Sequence, residues 1–212
     1  MIGYLNRSIV YKVIISACLA LLLYIITSCS QILNSYNMLP HPKYISEEYN
    51  LVLKKWTKKA SIHKGLKTEL LVAATYKGEN FRKAYAKEYG RIHLLDIDHG
   101  RIIMDDQIKA SMEYDDFLVS LYTQEKQLND FSEKNSIWSV YLIRDEHSRE
   151  VPLEIRKIKK KRKLYEFFYP YISPWSSVYV FRFKINDHAQ SSKSIKLILT
   201  GAPGSVRLNW ER

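Results

Sequence analysis

The sequence of 212 residues contains only two cysteines, Cys18 and Cys29, and no cysteine follows position 29. The long part of the chain beyond residue 29 therefore has neither a disulfide nor a thiol nucleophile. This absence excludes a disulfide-stabilised secreted scaffold, a cysteine hydrolase and a zinc site with cysteine ligands. The stability of that part must come from the burial of apolar side chains.

The sequence also lacks the short motifs that identify common enzymes. It has no G-x-S-x-G nucleophile elbow, no P-loop, no dinucleotide-binding fingerprint and no HExxH zinc motif. The pairs Asp105-Asp106 and Asp115-Asp116 offer carboxylates for general acid–base chemistry. Neighbouring side chains point to opposite faces of a strand and diverge by about 100° on a helix, so neither pair forms a catalytic site by itself. We expect a non-enzymatic protein without a cofactor.

The longest apolar run in the sequence is shorter than a typical transmembrane helix. The longest run, residues 13–26, would rise about 21 Å as a helix, whereas the hydrocarbon layer is about 30 Å thick. Arg7 and Lys12 precede or open this run without any acidic residue. This arrangement is typical of a signal peptide, and an uncleaved signal anchor is the alternative.

The apolar run ends in Ile26-Thr27-Ser28-Cys29. This tetrapeptide resembles the lipobox of bacterial lipoproteins, in which an aliphatic residue and two small residues precede a cysteine. The resemblance implies cleavage before Cys29, a diacylglycerol on its sulfur and an acylated new amino terminus. Lipid chains anchor a protein by about 0.8 kcal/mol per buried CH₂. We therefore expect a signal peptide at 1–28 and a lipidated tether at 29–45.

Ser30 follows the cysteine, where some lipoproteins carry aspartate. In this respect the chain resembles lipoproteins that are passed on to the outer membrane, so we expect an outer-membrane lipoprotein that faces the periplasm. Loss of residues 1–28 would leave 184 residues and reduce the formal charge from +11 to about +9. This charge favours anionic lipid, anionic polysaccharide or envelope proteins as partners. Export argues against nucleic acid.

Seven cations occupy eight consecutive positions near the middle of the mature chain. They are Arg156, Lys157, Lys159, Lys160, Lys161, Arg162 and Lys163. In an exported chain they predict electrostatic docking to anionic headgroups, at about 1 kcal/mol per well-placed cation. The alternative is a solvated turn that keeps an edge strand from pairing with another chain.

Two histidines and two aspartates lie within seven residues, as His93, Asp96, Asp98 and His99. Such side chains could supply three or four ligands to zinc or another divalent ion. A metal-dependent hydrolase that uses them is therefore the alternative function. Gly90 and Gly100 bracket the segment and argue against a continuous helix, so we expect a solvated loop here.

Seven aromatic residues follow the basic run: Tyr165, Phe167, Phe168, Tyr169, Tyr171, Trp175 and Tyr179. If they are exposed, their rings could stack on sugars or hold a partner protein. If they are buried, they complete a core. We expect packing in the core and at its rim.

Hydrophobic periodicity predicts a mainly β fold. Residues 51–63 and 66–75 predict a strand pair around Gly65, although Ser46 could instead be the N-cap of a helix with Glu47 and Glu48 in its first turn. Phe81, Ala84, Tyr85, Tyr89 and Ile92 predict one face of a helix, with Arg82, Lys83, Lys87 and Glu88 on the other side. We expect a loop and then a short helix at 107–114.

From residue 117 the apolar period changes to two. Strands are predicted at 117–123, 137–144, 150–158, 178–185, 194–200 and 206–210. One face of the strand at 178–185 carries Tyr179, Phe181, Phe183 and Ile185, and the other carries Arg182 and Lys184. The pattern predicts a sheet with one buried face and one solvent-exposed, wet face. This spacing favours an immunoglobulin-like antiparallel β-sandwich with a helical insertion around 79–116.

Scattered positions along the chain resemble a family of uncharacterised lipoproteins of Gram-negative bacteria. The positions are Trp56-Thr57, Ala60, Leu66, Thr68, Ala74-Thr75, Phe81-Arg82, Ala84-Tyr85, Asn129-Asp130, Ser136, Trp138, Tyr141-Leu142, Pro152, Ile155, Phe168, Pro170-Tyr171, Trp175, Tyr179, Phe183, Leu197, Gly201, Gly204 and Trp210. The resemblance covers most of the mature chain and brings no activity with it. It implies that residues 46–212 are a single domain.

Overall fold

The computed structural model describes residues 45–145, 149–185 and 191–212, together with Lys12, Ser16 and Ala17. The chain divides into two compact units, Met1–Lys43 and Tyr44–Arg212, and every element below belongs to the second. The predicted signal peptide, Cys29 and the tether as far as residue 44 lie outside the described residues, apart from the three named positions. No helix in the described ranges is both long enough and apolar enough to cross a membrane.

The described part of the second unit contains four α-helices, eight strands and one turn of 3₁₀-helix. In chain order they are α1 Glu47–Trp56, β1 Thr57–Lys64, β2 Lys67–Tyr76, α2 Glu79–Ile92, α3 Ile97–Glu113, β3 Tyr114–Tyr122, the 3₁₀ turn Lys126–Leu128, β4 Trp138–Arg144, β5 Glu154–Lys157, α4 Arg162–Phe168, β6 Ser177–Lys184, β7 Ser194–Gly201 and β8 Gly204–Glu211.

The strands form two antiparallel sheets. A five-stranded sheet has the order β1-β2-β3-β6-β5, and a three-stranded sheet has the order β4-β7-β8. Helices α2 and α3 connect β2 to β3, which are hydrogen-bonded neighbours. The predicted mainly β fold with a helical insertion at 79–116 is confirmed at this level of description.

The two sheets share one aromatic core. Phe117 on β3 is fully buried, and its ring centroid lies 5.2 Å from that of Trp210 on β8 and 5.3 Å from that of Tyr76 on β2. The indole N–H of Trp210 donates to the carbonyl of Trp56 at 2.8 Å, so the large ring is buried with its polar atom satisfied. The strand predicted at 206–210 is confirmed, since it lies within β8, which buries every second residue from Val206 to Trp210.

The prediction of one buried and one wet face is wrong for β6. Tyr179, Phe181 and Phe183 are buried as expected, but Val178 and Val180 on the opposite face are buried too. The segment that includes α4 crosses this outer face of the five-stranded sheet. Beyond α4, the Tyr171 hydroxyl lies 2.7 Å from the Thr75 hydroxyl of β2 and donates to the Leu118 carbonyl of β3.

Helices α1, α2 and α4 pack together through aromatic side chains. The Tyr49 hydroxyl of α1 donates to the carbonyl of Phe168 at the end of α4, at 3.0 Å. The ring of Phe168 lies 5.1 Å from that of Tyr85 and 5.9 Å from that of Tyr89 on α2. These contacts bury the face of α2 on which apolar residues recur every three or four positions, as the sequence predicted.

Residues 46–76 contain both the helix capped by Ser46 and the strand pair, which the sequence offered as alternatives. Ser46 is the N-cap of α1, and its hydroxyl accepts from the backbone N–H of Tyr49 at 3.2 Å. The helix ends at Trp56, and the strand pair then begins at Thr57 rather than at residue 51. Gly65 has a φ of +61° in the turn between β1 and β2, a conformation that favours glycine.

The expected loop and short helix before β3 are wrong. Residues Ile97–Glu113 form one helix of 17 residues that continues through Gly100. Its N-cap is Asp96, whose carboxylate accepts from the N–H of His99 at 2.9 Å. The predicted strand 150–158 is also too long, because β5 spans only Glu154–Lys157 and an isolated bridge joins Glu150 to Leu142.

Replacement of Phe117 by alanine tests the shared core. We expect Phe117→Ala to lower the free energy of unfolding by about 3–5 kcal/mol, because it leaves a cavity between the two sheets. Leu66→Ala is the matched control, since Leu66 is fully exposed, and it should change stability by less than about 0.5 kcal/mol. Urea unfolding measures both. Equal effects of the two substitutions would contradict a core centred on Phe117.

Candidate functional site

The basic run covers the end of β5, the loop after it and the start of α4, and three of its cations are engaged in the fold. The Lys157 ammonium lies 5.6 Å from the ring centroid of Tyr179, and Arg156 forms an ion pair with Glu154 at 3.3 Å. Arg162 pairs with Glu166 at 2.7 Å and is partly buried. These three cations therefore contact other side chains of the domain in addition to contributing to its positive charge.

The other four cations are Lys159, Lys160, Lys161 and Lys163, which we name the lysine cluster. All four are exposed, and none has an ion-pair partner among the described residues. Lys161 adopts a φ of +56° immediately before α4, while Ile158 at the start of the loop is buried. The loop is therefore fixed to the core at one end, and the lysines of the loop and of the first turn of α4 are exposed to solvent.

The His93–His99 segment does not form a metal site in the structure. Asp96 caps α3, and its carboxylate also lies 2.8 Å from Nδ1 of His99. The ring of His93 stacks on Tyr89 with centroids 3.9 Å apart. Among the described residues, no group of three or more His, Cys, Asp or Glu side chains is placed to hold a metal ion.

Most of the aromatic residues after the basic run are packed, as expected. Phe168, Tyr169 and Tyr179 are buried, whereas Trp175 is 80% exposed. The other three tryptophans of the chain, Trp56, Trp138 and Trp210, are each at most 5% exposed. Trp175 is therefore the exception to the expected packing.

Trp175 borders an open groove on the outer face of the five-stranded sheet, which we name the Trp175 groove. Its volume is about 820 Å³. Strands β2 and β3 contribute Leu71, Ala73, Ser120 and Tyr122, and the segment after α4 contributes Tyr171 and Trp175.

Polar side chains of the groove are available for a ligand. Lys59 of β1, Tyr122 at the end of β3, Gln124 and Ser173 line it, and none of their side-chain polar groups has a partner among the described residues. Within that part of the chain, no acidic residue lines the groove. Sequence reasoning missed this site, and its one local signal is a tryptophan that directly follows Pro174.

The groove lies beside the lysine cluster because of Arg162. Its guanidinium donates to the carbonyls of Ser173 and Ser176, at 2.6 and 2.8 Å, and these two residues flank Pro174 and Trp175. Lys161 and Lys163 are the chain neighbours of Arg162. Arg162 thus joins the start of α4, where Lys161 and Lys163 are exposed, to the segment that carries the exposed tryptophan.

A separate buried network surrounds Asp115 and Asp116 at the start of β3, one of the pairs considered for acid–base chemistry. Asp115 accepts from the Tyr76 hydroxyl at 2.7 Å and from Nη2 of Arg144 at 2.9 Å, and it also pairs with Arg212. Arg144 lies on β4, so this carboxylate connects the two sheets. The surrounding cations fit a structural role better than proton transfer.

Asp116 points to the opposite face and binds the helical insertion. It accepts from Nη2 of Arg82 at 2.6 Å and from Nε of Arg182 at 2.8 Å. Burial opposes ionisation, but the hydrogen bond from Arg182 and the charge of Arg82 hold the pKa of Asp116 below its usual value. Burial, together with the charge of Arg82, lowers the pKa of the nearby Lys77 to about 8.

Arg82 and Glu88, which were predicted on the side of α2 opposite its apolar face, are almost fully buried. Arg82 also donates to the Lys77 carbonyl and to the Gln107 amide oxygen of α3. Glu88 accepts from the backbone N–H and the hydroxyl of Ser46, at 2.7 and 2.8 Å. Both charges are tolerated inside because partners from other elements satisfy their polar atoms.

The lowered pKa of Asp116 predicts a loss of stability in acid. The carboxylate stabilises the fold above its unfolded pKa of about 3.9, and this contribution disappears as the pH falls through the lower folded pKa. Asp116→Asn should cost about 3–5 kcal/mol at pH 7, because it leaves two arginines without their carboxylate. The difference from wild type should shrink between pH 4 and pH 2.5.

Urea unfolding across this pH range measures the effect. Asp106→Asn is the control, because Asp106 is exposed on α3 and its replacement should change stability by less than about 0.5 kcal/mol. A difference between wild type and Asp116→Asn that stays constant from pH 7 to pH 2.5 would show that the ionised carboxylate is not what stabilises this site.

Comparisons with known proteins find no match to this chain among protein-family models, curated proteins or solved structures.

Proposed function

We propose that the chain is a lipid-anchored lipoprotein of the cell envelope, whose second unit is a non-enzymatic binding module. The anchor is the diacylglycerol on Cys29 that the Ile26-Thr27-Ser28-Cys29 motif implies. The proposed location is the periplasmic face of the outer membrane. The proposed partners are anionic envelope polymers, anionic lipid or other envelope proteins.

We propose further that the two sheets form an immunoglobulin-like sandwich. The orders β2-β3-β6-β5 and β4-β7-β8 correspond to strands A-B-E-D and C-F-G of a constant-type immunoglobulin domain. In this correspondence β1 is an additional edge strand, and α2 and α3 are an insertion between strands A and B. The buried Trp138 lies on β4, the counterpart of strand C, which carries the core tryptophan in that fold.

The observation that carries the proposed binding function is the uncompensated charge of the lysine cluster. Four exposed ammonium groups without ion-pair partners in the described structure attract anionic surfaces. The 17 residues from Cys29 to Ile45 span at most about 60 Å when extended, so the second unit stays near the membrane that holds the anchor. Headgroups and membrane-associated polymers are therefore within its reach.

Replacement of Cys29 tests the anchor. Cys29→Ser should abolish the incorporation of radiolabelled palmitate and release the protein from the lipid-modification pathway, so that the precursor keeps residues 1–28. Cys18→Ser is the matched control, because that cysteine lies inside the apolar run and should be dispensable. Intact-mass measurement of membrane-extracted protein reads out both changes. Unmodified Cys29 in the wild-type protein would refute the lipoprotein assignment.

Neutralisation of the lysine cluster tests the charged surface. A fragment that begins at Ser30, with Lys159, Lys160, Lys161 and Lys163 changed to Gln, should bind phosphatidylglycerol-containing vesicles at least about tenfold more weakly than the unchanged fragment. Vesicle co-sedimentation measures this difference at low salt, where surface charges are least screened.

The control for this comparison carries the same change in net charge at dispersed sites. Lys54, Lys58, Lys109 and Lys134 are exposed in four different regions of the second unit, and their joint change to Gln should weaken vesicle binding by less than about threefold. If both quadruple variants bind equally, net charge rather than the lysine cluster determines the interaction. Neutral phosphatidylcholine vesicles should bind none of the three proteins.

A further inference from the structure

We propose that the Trp175 groove is a binding site for a segment of acidic polysaccharide, with sugar rings lying along the outer face of β2 and β3. This inference deepens the proposed function, and it depends on that function only for bringing the chain to envelope glycans. The volume of about 820 Å³ falls in the usual range for ligand sites, about 300–1,000 Å³.

The first argument is the combination of flat apolar surface with free polar groups. Trp175, Tyr122 and Tyr171 provide aromatic surface, and Leu71 and Ala73 provide apolar surface in the same lining. Sugar rings present C–H groups on their faces and hydroxyl groups at their edges. A sugar ring can therefore cover the aromatic surface while its edge hydroxyls meet polar side chains.

The second argument is that those polar side chains are unpaired. The Lys59 ammonium, the Tyr122 hydroxyl, the Gln124 amide and the Ser173 hydroxyl have no partner among the described residues. Together they provide donors and acceptors along the groove. A wholly apolar ligand would remove these groups from water without replacing their hydrogen bonds, at a cost that a hydroxyl-rich ligand avoids.

The third argument is charge complementarity. Lys59 is the one charged side chain in the described lining of the groove, and the lysine cluster lies beside the Trp175 segment. The described lining thus carries one ammonium group and no carboxylate, and the segment after α4 is hydrogen-bonded to a cation of the basic run. A polymer that carries uronate or phosphate groups matches this field, and a neutral glycan does not.

The shape favours a polymer strand over a lipid surface. A bilayer is flat on the scale of one domain and meets protruding side chains, whereas the site is a groove lined by the sheet face and the segment after α4. Ser120 and Ser176 at its base are less than 8% exposed, and their hydroxyls are hydrogen-bonded to each other at 2.8 Å. Headgroups in a bilayer plane would not reach this base.

The tryptophan fluorescence of the full chain in neutral detergent tests the proposal. Trp175 is the one exposed tryptophan of the four, so acrylamide quenching reports mainly on its ring. Polygalacturonate oligomers should reduce that quenching in a saturable manner. Dextran of similar length, which is neutral, should have little effect at the same concentration.

Substitutions then place the ligand in the groove. By titration calorimetry, Trp175→Ala should weaken polygalacturonate binding at least about tenfold, and Lys59→Gln should weaken it about two- to fivefold. Lys58→Gln is the matched control, because Lys58 is the exposed neighbour on β1 that does not line the groove, and it should leave the affinity within about twofold. The altered side chains are exposed, so circular dichroism should show unchanged folding.

Four outcomes would overturn the proposal. They are an absence of polygalacturonate binding, equal binding by Trp175→Ala and wild type, equal losses in Lys58→Gln and Lys59→Gln, and equal affinity for dextran. Protection of Trp175 by phosphatidylglycerol vesicles alone would identify the face as a membrane contact instead. None of these outcomes affects palmitate labelling of Cys29, so failure of the glycan site and failure of the lipid anchor are distinguishable.

Discussion

The pairing of Asp115 and Asp116 with arginines is the constraint on which the arrangement of this domain depends. Two consecutive carboxylates at the start of β3 point to opposite faces of the five-stranded sheet. Asp115 binds Arg144 of the other sheet, and Asp116 binds Arg82 of the helical insertion. A buried charge without its partner costs several kcal/mol, so any other placement of β4 or α2 relative to β3 would be heavily penalised.

This network also shows where sequence reasoning reaches its limit. The period-two strands and the apolar face of α2 were predictable, because the spacing of apolar residues reports which face is buried. The burial of Arg82 and Glu88 was not predictable, because their partners Asp116 and Ser46 lie 34 and 42 residues away. A charged residue is assigned to solvent by default, and only tertiary structure reveals a partner that reverses this assignment.

The error over α3 has a local cause instead. Gly90 and Gly100 suggested a break in helical structure, since glycine lowers helix stability by about 1 kcal/mol. The structure places that break between α2 and α3, and the side chain of Asp96 then begins the second helix. The Asp96 carboxylate was also considered as a metal ligand. An aspartate just before a helix can be explained by N-capping alone, and here capping is the role that the structure gives it.

The basic run and the aromatic segment, which were separate features in the sequence, form one surface because of a single side chain. Arg162 was counted among seven surface cations, yet its guanidinium is bound to Glu166 and to the carbonyls of Ser173 and Ser176. By holding the segment that contains Trp175 against the start of α4, it places the indole beside the lysine cluster. The sequence therefore predicted the positive charge of the basic run. It did not predict the groove, because the lining residues lie between positions 59 and 176 and only the folded sheet brings them together.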